Sequence, residues 1–87
     1  MADQIDFTSL KKRLDQLDWP SVYMFKFIVP IEQLKEVSSL FEKSDFQTKV
    51  SKKGNYISVT AKPLMYSSEN VIGKYKQALL IKDLVAL

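Results

Sequence analysis

The chain has 87 residues, 46% of them hydrophobic and 26% charged, an ordinary globular composition long enough for one core that buries roughly 60–65% of the unfolded surface. It contains no cysteine and no histidine, which removes disulfides, thiol catalysis, imidazole acid–base chemistry and the usual zinc and haem ligands. The net charge of +3 hides a gradient: residues 1–48 carry six Lys/Arg against eight Asp/Glu (net −2), and residues 49–87 carry seven lysines against two acids (net +5).

The opening residues, MADQIDFTSL, lack a basic stretch followed by an apolar one, and no apolar run approaches the roughly 18–20 residues of a membrane span. A cytoplasmic chain with no membrane partner is expected. Leu10, Leu14 and Leu17 recur at helical spacing among Lys11, Lys12, Arg13 and Asp15, which predicts a short amphipathic helix capped by Thr8 or Ser9 and stopped by Trp19-Pro20. Residues 1–18 thus read as an N-terminal helical extension, and 19–87 as the domain proper.

From Val22 to Val29 the run VYMFKFIV reads as a central strand whose aromatic set, Tyr23, Phe25 and Phe27, faces the core. Ile31, Leu34, Val37, Leu40 and Phe41 predict a helix over 31–43, entered through Pro30. Phe46 to Ser51 and Asn55 to Ala61 alternate as a hairpin, with Ile57, Val59 and Ala61 inward. Ser67 or Ser68 caps a third helix with Val71, Ile72, Tyr75 and Leu79 on one face; Gly73 within it implies close approach to the sheet. Ile81 to Leu87 supplies a last strand.

After Trp19 the order is βαββαβ, which predicts an α+β, ferredoxin-like sandwich: a four-stranded antiparallel sheet with two helices on one face, preceded by the short N-terminal helix. The other sheet face would carry Met24, Lys26, Ile28, Tyr56, Ser58 and Thr60, with the N-terminal helix covering part of it. Between the hairpin strands, Lys52-Lys53-Gly54-Asn55 reverses the chain, and Gly54 and Asn55 suit positive φ. The turn accounts for the Gly-Asn pair but not for Lys52, Lys53 and Tyr56. With Lys26 and Lys49 these residues form the candidate partner or anion surface: Lys26, Lys49, Lys52, Lys53, Gly54, Asn55 and Tyr56.

Trp19-Pro20, the strand YMFKFIVP (Tyr23 to Pro30), the turn KGNYISVT (Lys53 to Thr60) and the closing helix and strand with Val71 and Tyr75 together resemble the YbeD-like family of small bacterial proteins. The resemblance covers roughly residues 19–87, and the run from Lys53 to Val59 is its most specific part. It implies the ferredoxin-like fold, a similarity to ACT-type regulatory domains, and no reaction.

Three function classes are weighed. The leading one is a non-enzymatic regulatory or adaptor module without cofactor, binding a protein partner, a second copy through exposed strand edges, or a small molecule. ACT-type ligand sites have a Gly- and Asp-containing turn after the first strand, and Val29-Pro30-Ile31-Glu32 has neither. The alternative is single-stranded nucleic-acid binding, with Tyr56 stacking a base amid lysines; against the RRM pattern Lys53-Gly54 match, while Asn55, Ile57 and Thr60 stand where aromatics are wanted. Enzymes rank last. Acylphosphatases of this fold need an arginine after the first strand, and the single arginine is Arg13; Asp15 and Asp18, or Glu32 and Glu36, are ordinary solvated helix pairs with no nucleophile beside them.

Overall fold

The computed structural model describes residues 5–87, so the first four residues of the 1–18 extension lie outside the described residues. In chain order the elements are α1 (Phe7–Leu14), β1 (Ser21–Val22), β2 (Phe25–Pro30), α2 (Leu34–Ser38), β3 (Phe46–Val50), β4 (Tyr56–Ala61), β5 (Leu64–Met65), α3 (Ser68–Ala78) and β6 (Val85–Ala86). The fold is mixed α+β. Four strands form an antiparallel sheet in the order β3-β4-β2-β6, and β1 and β5 make a separate two-stranded ladder.

Alternation along β2 and β4 places one core on one side of the sheet. Phe25, Phe27 and Val29 stand beside Ala61, Val59 and Ile57 in register, and Val37 of α2, Val71, Tyr75 and Ala78 of α3 and Leu14 of α1 close over them. Burying a side chain of this size stabilises by about 1.5–3 kcal/mol. The Tyr75 ring meets Phe25 with centroids 5.0 Å apart, and its hydroxyl shares a 3.1 Å hydrogen bond with that of Tyr23. Burial, and then this bond, pushes the Tyr75 hydroxyl pKa well up.

Several expectations need correction. The run Val22 to Val29 is not one strand: β1 pairs with β5 and β2 with β4 in the same register, but the pairing is interrupted at Tyr23-Met24, opposite Lys62-Pro63. Pro63 causes this, since it cannot donate to a ladder; its carbonyl instead accepts from the Tyr23 amide at 3.1 Å. The helix expected over 31–43 is a 3-10 turn at Ile31–Gln33 followed by only five α-helical residues. Ser38 and Ser39 turn their hydroxyls back onto the carbonyls of Lys35 (3.1 Å) and Glu36 (2.7 Å), and the next amides bond three residues back, so the helix tightens and stops. The last strand is two residues long because Asp83, at φ +62, turns the chain just before it.

Helix α1 is capped by Asp6 rather than by Thr8 or Ser9. Its carboxylate accepts from the amides of Thr8 (3.1 Å) and Ser9 (3.2 Å), a favourable place for an anion at a helix start. The Ser9 amide leads in holding this carboxyl below its usual range. Nor does α1 cover the outer sheet face. It packs beside α3, where Leu14 is 2% exposed and the Asp15 carboxylate accepts from the Ser68 hydroxyl at 2.5 Å. Phe7, Leu10 and Leu14 gain more by joining an apolar core than by lying on Lys26, Ser58 and Thr60.

Ser67 does cap α3, accepting from the Asn70 amide at 3.0 Å. The expected close approach at Gly73 is absent: a Cβ built there meets nothing within 4 Å.

Candidate functional surface

With α1, α2 and α3 on one side, the opposite face of the sheet is bare among the described residues. Register fixes its rows. Gln47, Thr60 and Lys26 lie side by side; next come Lys49, Ser58, Ile28 and Val85; then Tyr56 opposite Pro30. Met24, just before β2, is 54% exposed, Tyr56 50% and Val85 46%, while Ile28, Ser58 and Thr60 are half-buried by their neighbours. The Lys62 amide donates to the Asp45 carbonyl at 2.9 Å, which carries the β3–β4 ladder one step past the strand ends. Asp45, Gln47, Thr60 and Lys62 accordingly line a shallow hollow of about 110 Å³ at one corner.

Of the sequence-derived candidates, Lys26, Lys49 and Tyr56 come together on this face. Lys52, Lys53, Gly54 and Asn55 form the turn at its rim, all exposed. Gly54 has φ +76, whereas Asn55 does not enter the left-handed region. The Gly54 amide donates to the Ser51 carbonyl at 3.0 Å, the Ser51 amide to the Tyr56 carbonyl at 2.8 Å, and the Tyr56 amide to the Ser51 hydroxyl at 3.3 Å. Asn55 also has a role outside the turn, since its carbonyl accepts from the Ile31 amide at 3.1 Å and ties the hairpin tip to the segment leading into α2. The turn is therefore structurally satisfied by its own backbone, and its lysines are free for solvent or a partner.

Gln47, Lys62 and Val85 belong to the same face and were missed from sequence. Their signal lies in cross-strand register, which a pattern along one strand does not contain.

A second concavity lies between α1 and α3. Phe7, Ile72 and Gly73 form its apolar part, Lys11, Lys12 and Lys76 its rim, and its volume is about 650 Å³. Two of its three lysines are already engaged. Lys11 Nζ sits 2.9 Å from Asp15 and 3.4 Å from Glu69, and Lys76 Nζ lies 5.5 Å from the Phe7 ring centroid. The Ser68 hydroxyl, followed by Lys11, holds the Asp15 carboxyl below its usual range, and Asp15 in turn raises the Lys11 ammonium. This is helix docking rather than an unsatisfied site.

Among the described residues no group of three or more His, Cys, Asp or Glu could hold a metal ion, and no helix is long and apolar enough to cross a membrane. Comparisons with family models, curated proteins and solved structures return no match to this chain.

Proposed function

We propose that the chain is a small non-enzymatic regulatory or adaptor module that binds a protein partner through the bare face of its sheet. The observation that carries this is the uncovered face itself. Met24, Ile28, Tyr56 and Val85 give it apolar and aromatic area, Lys26, Lys49 and Lys62 surround them with positive charge, and paired strands hold all of them except Met24 and Lys62, which sit at strand ends. Apolar anchors within a charged rim are the usual composition of a protein-binding patch. The sheet order β3-β4-β2-β6, with helices on one side, supports a ferredoxin-like, ACT-like reading of the domain, and the YbeD-like resemblance of residues 19–87 points the same way. A cytoplasmic location accompanies that reading.

A second reading, single-stranded nucleic-acid binding, is favoured by one observation: α1 leaves Tyr56 open with Lys49 one row away and Lys26 further along the same face, a stacking ring with cations on its face. One tyrosine is a thin platform for this. The test is a tagged pull-down from the cytosol of the source organism, split into nuclease-treated and untreated halves, with the wild type and a Met24→Glu/Tyr56→Ser double variant as baits. Under the protein-partner reading one protein co-purifies with the wild type in both halves and is lost with the variant. Recovery that collapses with nuclease moves the assignment to nucleic acid, and equal recovery on both baits removes the bare face as the site.

A further inference from the structure

We propose that β3 is a self-pairing edge, on which β3 of a second copy of this chain docks antiparallel about a two-fold axis at Thr48. The inference uses a different surface from the bare face and does not depend on the partner reading.

The ladder phase decides which backbone groups are available. The Ser51 amide bonds the Tyr56 carbonyl and the Lys62 amide bonds the Asp45 carbonyl. In an antiparallel ladder these positions alternate, so Ser51, Lys49, Gln47 and Asp45 turn their backbone groups toward β4. Phe46, Thr48 and Val50 therefore point theirs outward from the sheet edge. The Phe46 amide is taken by the Lys43 carbonyl, which leaves the Phe46 carbonyl and both groups of Thr48 and Val50 for a new strand. Side chains here are open as well: Val50 is 53% exposed and Thr48 is exposed, although both stand on the core side, because α2 is too short to reach them. The opposite edge, β6, is only two residues long.

Centring the two-fold on Thr48 pairs Thr48 with itself and Phe46 with Val50 of the second copy, forming about four new backbone hydrogen bonds. On the core side Phe46 then covers the exposed Val50 of the second copy. On the bare side Lys49 lies opposite Gln47. Sliding by one pair to centre on Lys49 keeps as many bonds but sets Lys49 directly against its own copy, where like charges repel; centring on Gln47 loses the Val50 groups. Charge along the segment reinforces the antiparallel choice. The segment begins with Glu42, Lys43 and Asp45 and ends with Lys49, Lys52 and Lys53, so antiparallel pairing brings the basic turn of one copy to the acidic end of the other. The pairing extends the sheet across two molecules and leaves the bare faces continuous.

The test is sedimentation equilibrium over a rising concentration series. The wild type should move from monomer toward dimer mass, more weakly at high salt. Thr48→Pro, which removes an outward amide that the fold does not use, should stay monomeric with unchanged circular dichroism. Two charge variants give an independent arm should that proline disturb folding. Lys52→Glu/Lys53→Glu and Glu42→Lys should each weaken self-association by about tenfold, and their equimolar mixture should recover it, since only the mixed pair sets opposite charges at both ends. A wild type that remains monomeric, a Thr48→Pro dimer as tight as wild type, or a mixture no tighter than its components would each overturn the proposal. Pull-down by Thr48→Pro through Met24 and Tyr56 would be unaffected either way, so the two readings fail separately.

Discussion

Along β2 adjacent residues live in opposite surroundings. Phe25, Phe27 and Val29 are 0% exposed under α2 and α3, whereas Lys26 is exposed and Ile28 only half-buried on the side no helix covers. One strand thus holds the domain together with one set of alternate side chains and presents a surface with the other. Stability and availability are separated by parity, not by location along the chain, and substitutions one residue apart should report different things.

The sharpest contrast is Phe27→Ala against Ile28→Ala. The first should cost about 3–5 kcal/mol in urea unfolding, as for a buried aromatic in a close-packed core, and the second about 1 kcal/mol, for partial burial. Comparable losses would show that the bare face is covered in solution.

The two glycines extend the comparison to the backbone. Gly54→Val should destabilise by about 1–3 kcal/mol because φ +76 strains a β-branched residue, while Gly73→Ala should stabilise by about 0.5–1 kcal/mol, since the helix gains propensity and the added methyl meets nothing.

Smaller effects belong to the exposed charges. The Asp15 carboxyl sits below its usual range, so its contribution is present above the unfolded pKa of about 3.9 and is lost as pH falls through the folded value. Asp15→Asn should flatten the acid limb of a stability–pH curve by lowering stability modestly at neutral pH, and should leave stability nearly unchanged below the folded pKa. Lys52→Ser/Lys53→Ser should alter stability by no more than about 0.5 kcal/mol, which separates the lysines of the turn from its glycine.

Much of this was legible in residues. The period-2 sets of β2 and β4, the Ser67 cap and the reversal at Gly54 are local rules, each carried by a few neighbours in sequence. What was not legible depends on partners far along the chain. Pro63 breaks the strand at Tyr23 from the neighbouring strand, and Ser38 and Ser39 end a helix whose apolar spacing alone would continue it. The destination of α1 turned on which of two faces was the more apolar. The candidate surface divides in the same way: Tyr56 and Lys26 follow from alternation, while Gln47, Lys62 and Val85 join them only through register.

The hydrogen bond from the Ile31 amide to the Asn55 carbonyl makes one backbone proton a built-in gauge of the hairpin tip. Solvent exchange at Ile31 requires the tip to lift away, so its rate tracks the opening of the lysine turn without any label on the turn. A molecule gripping Lys52 to Tyr56 would slow that proton, and one seated near Met24 and Val85 would leave it exchanging as before.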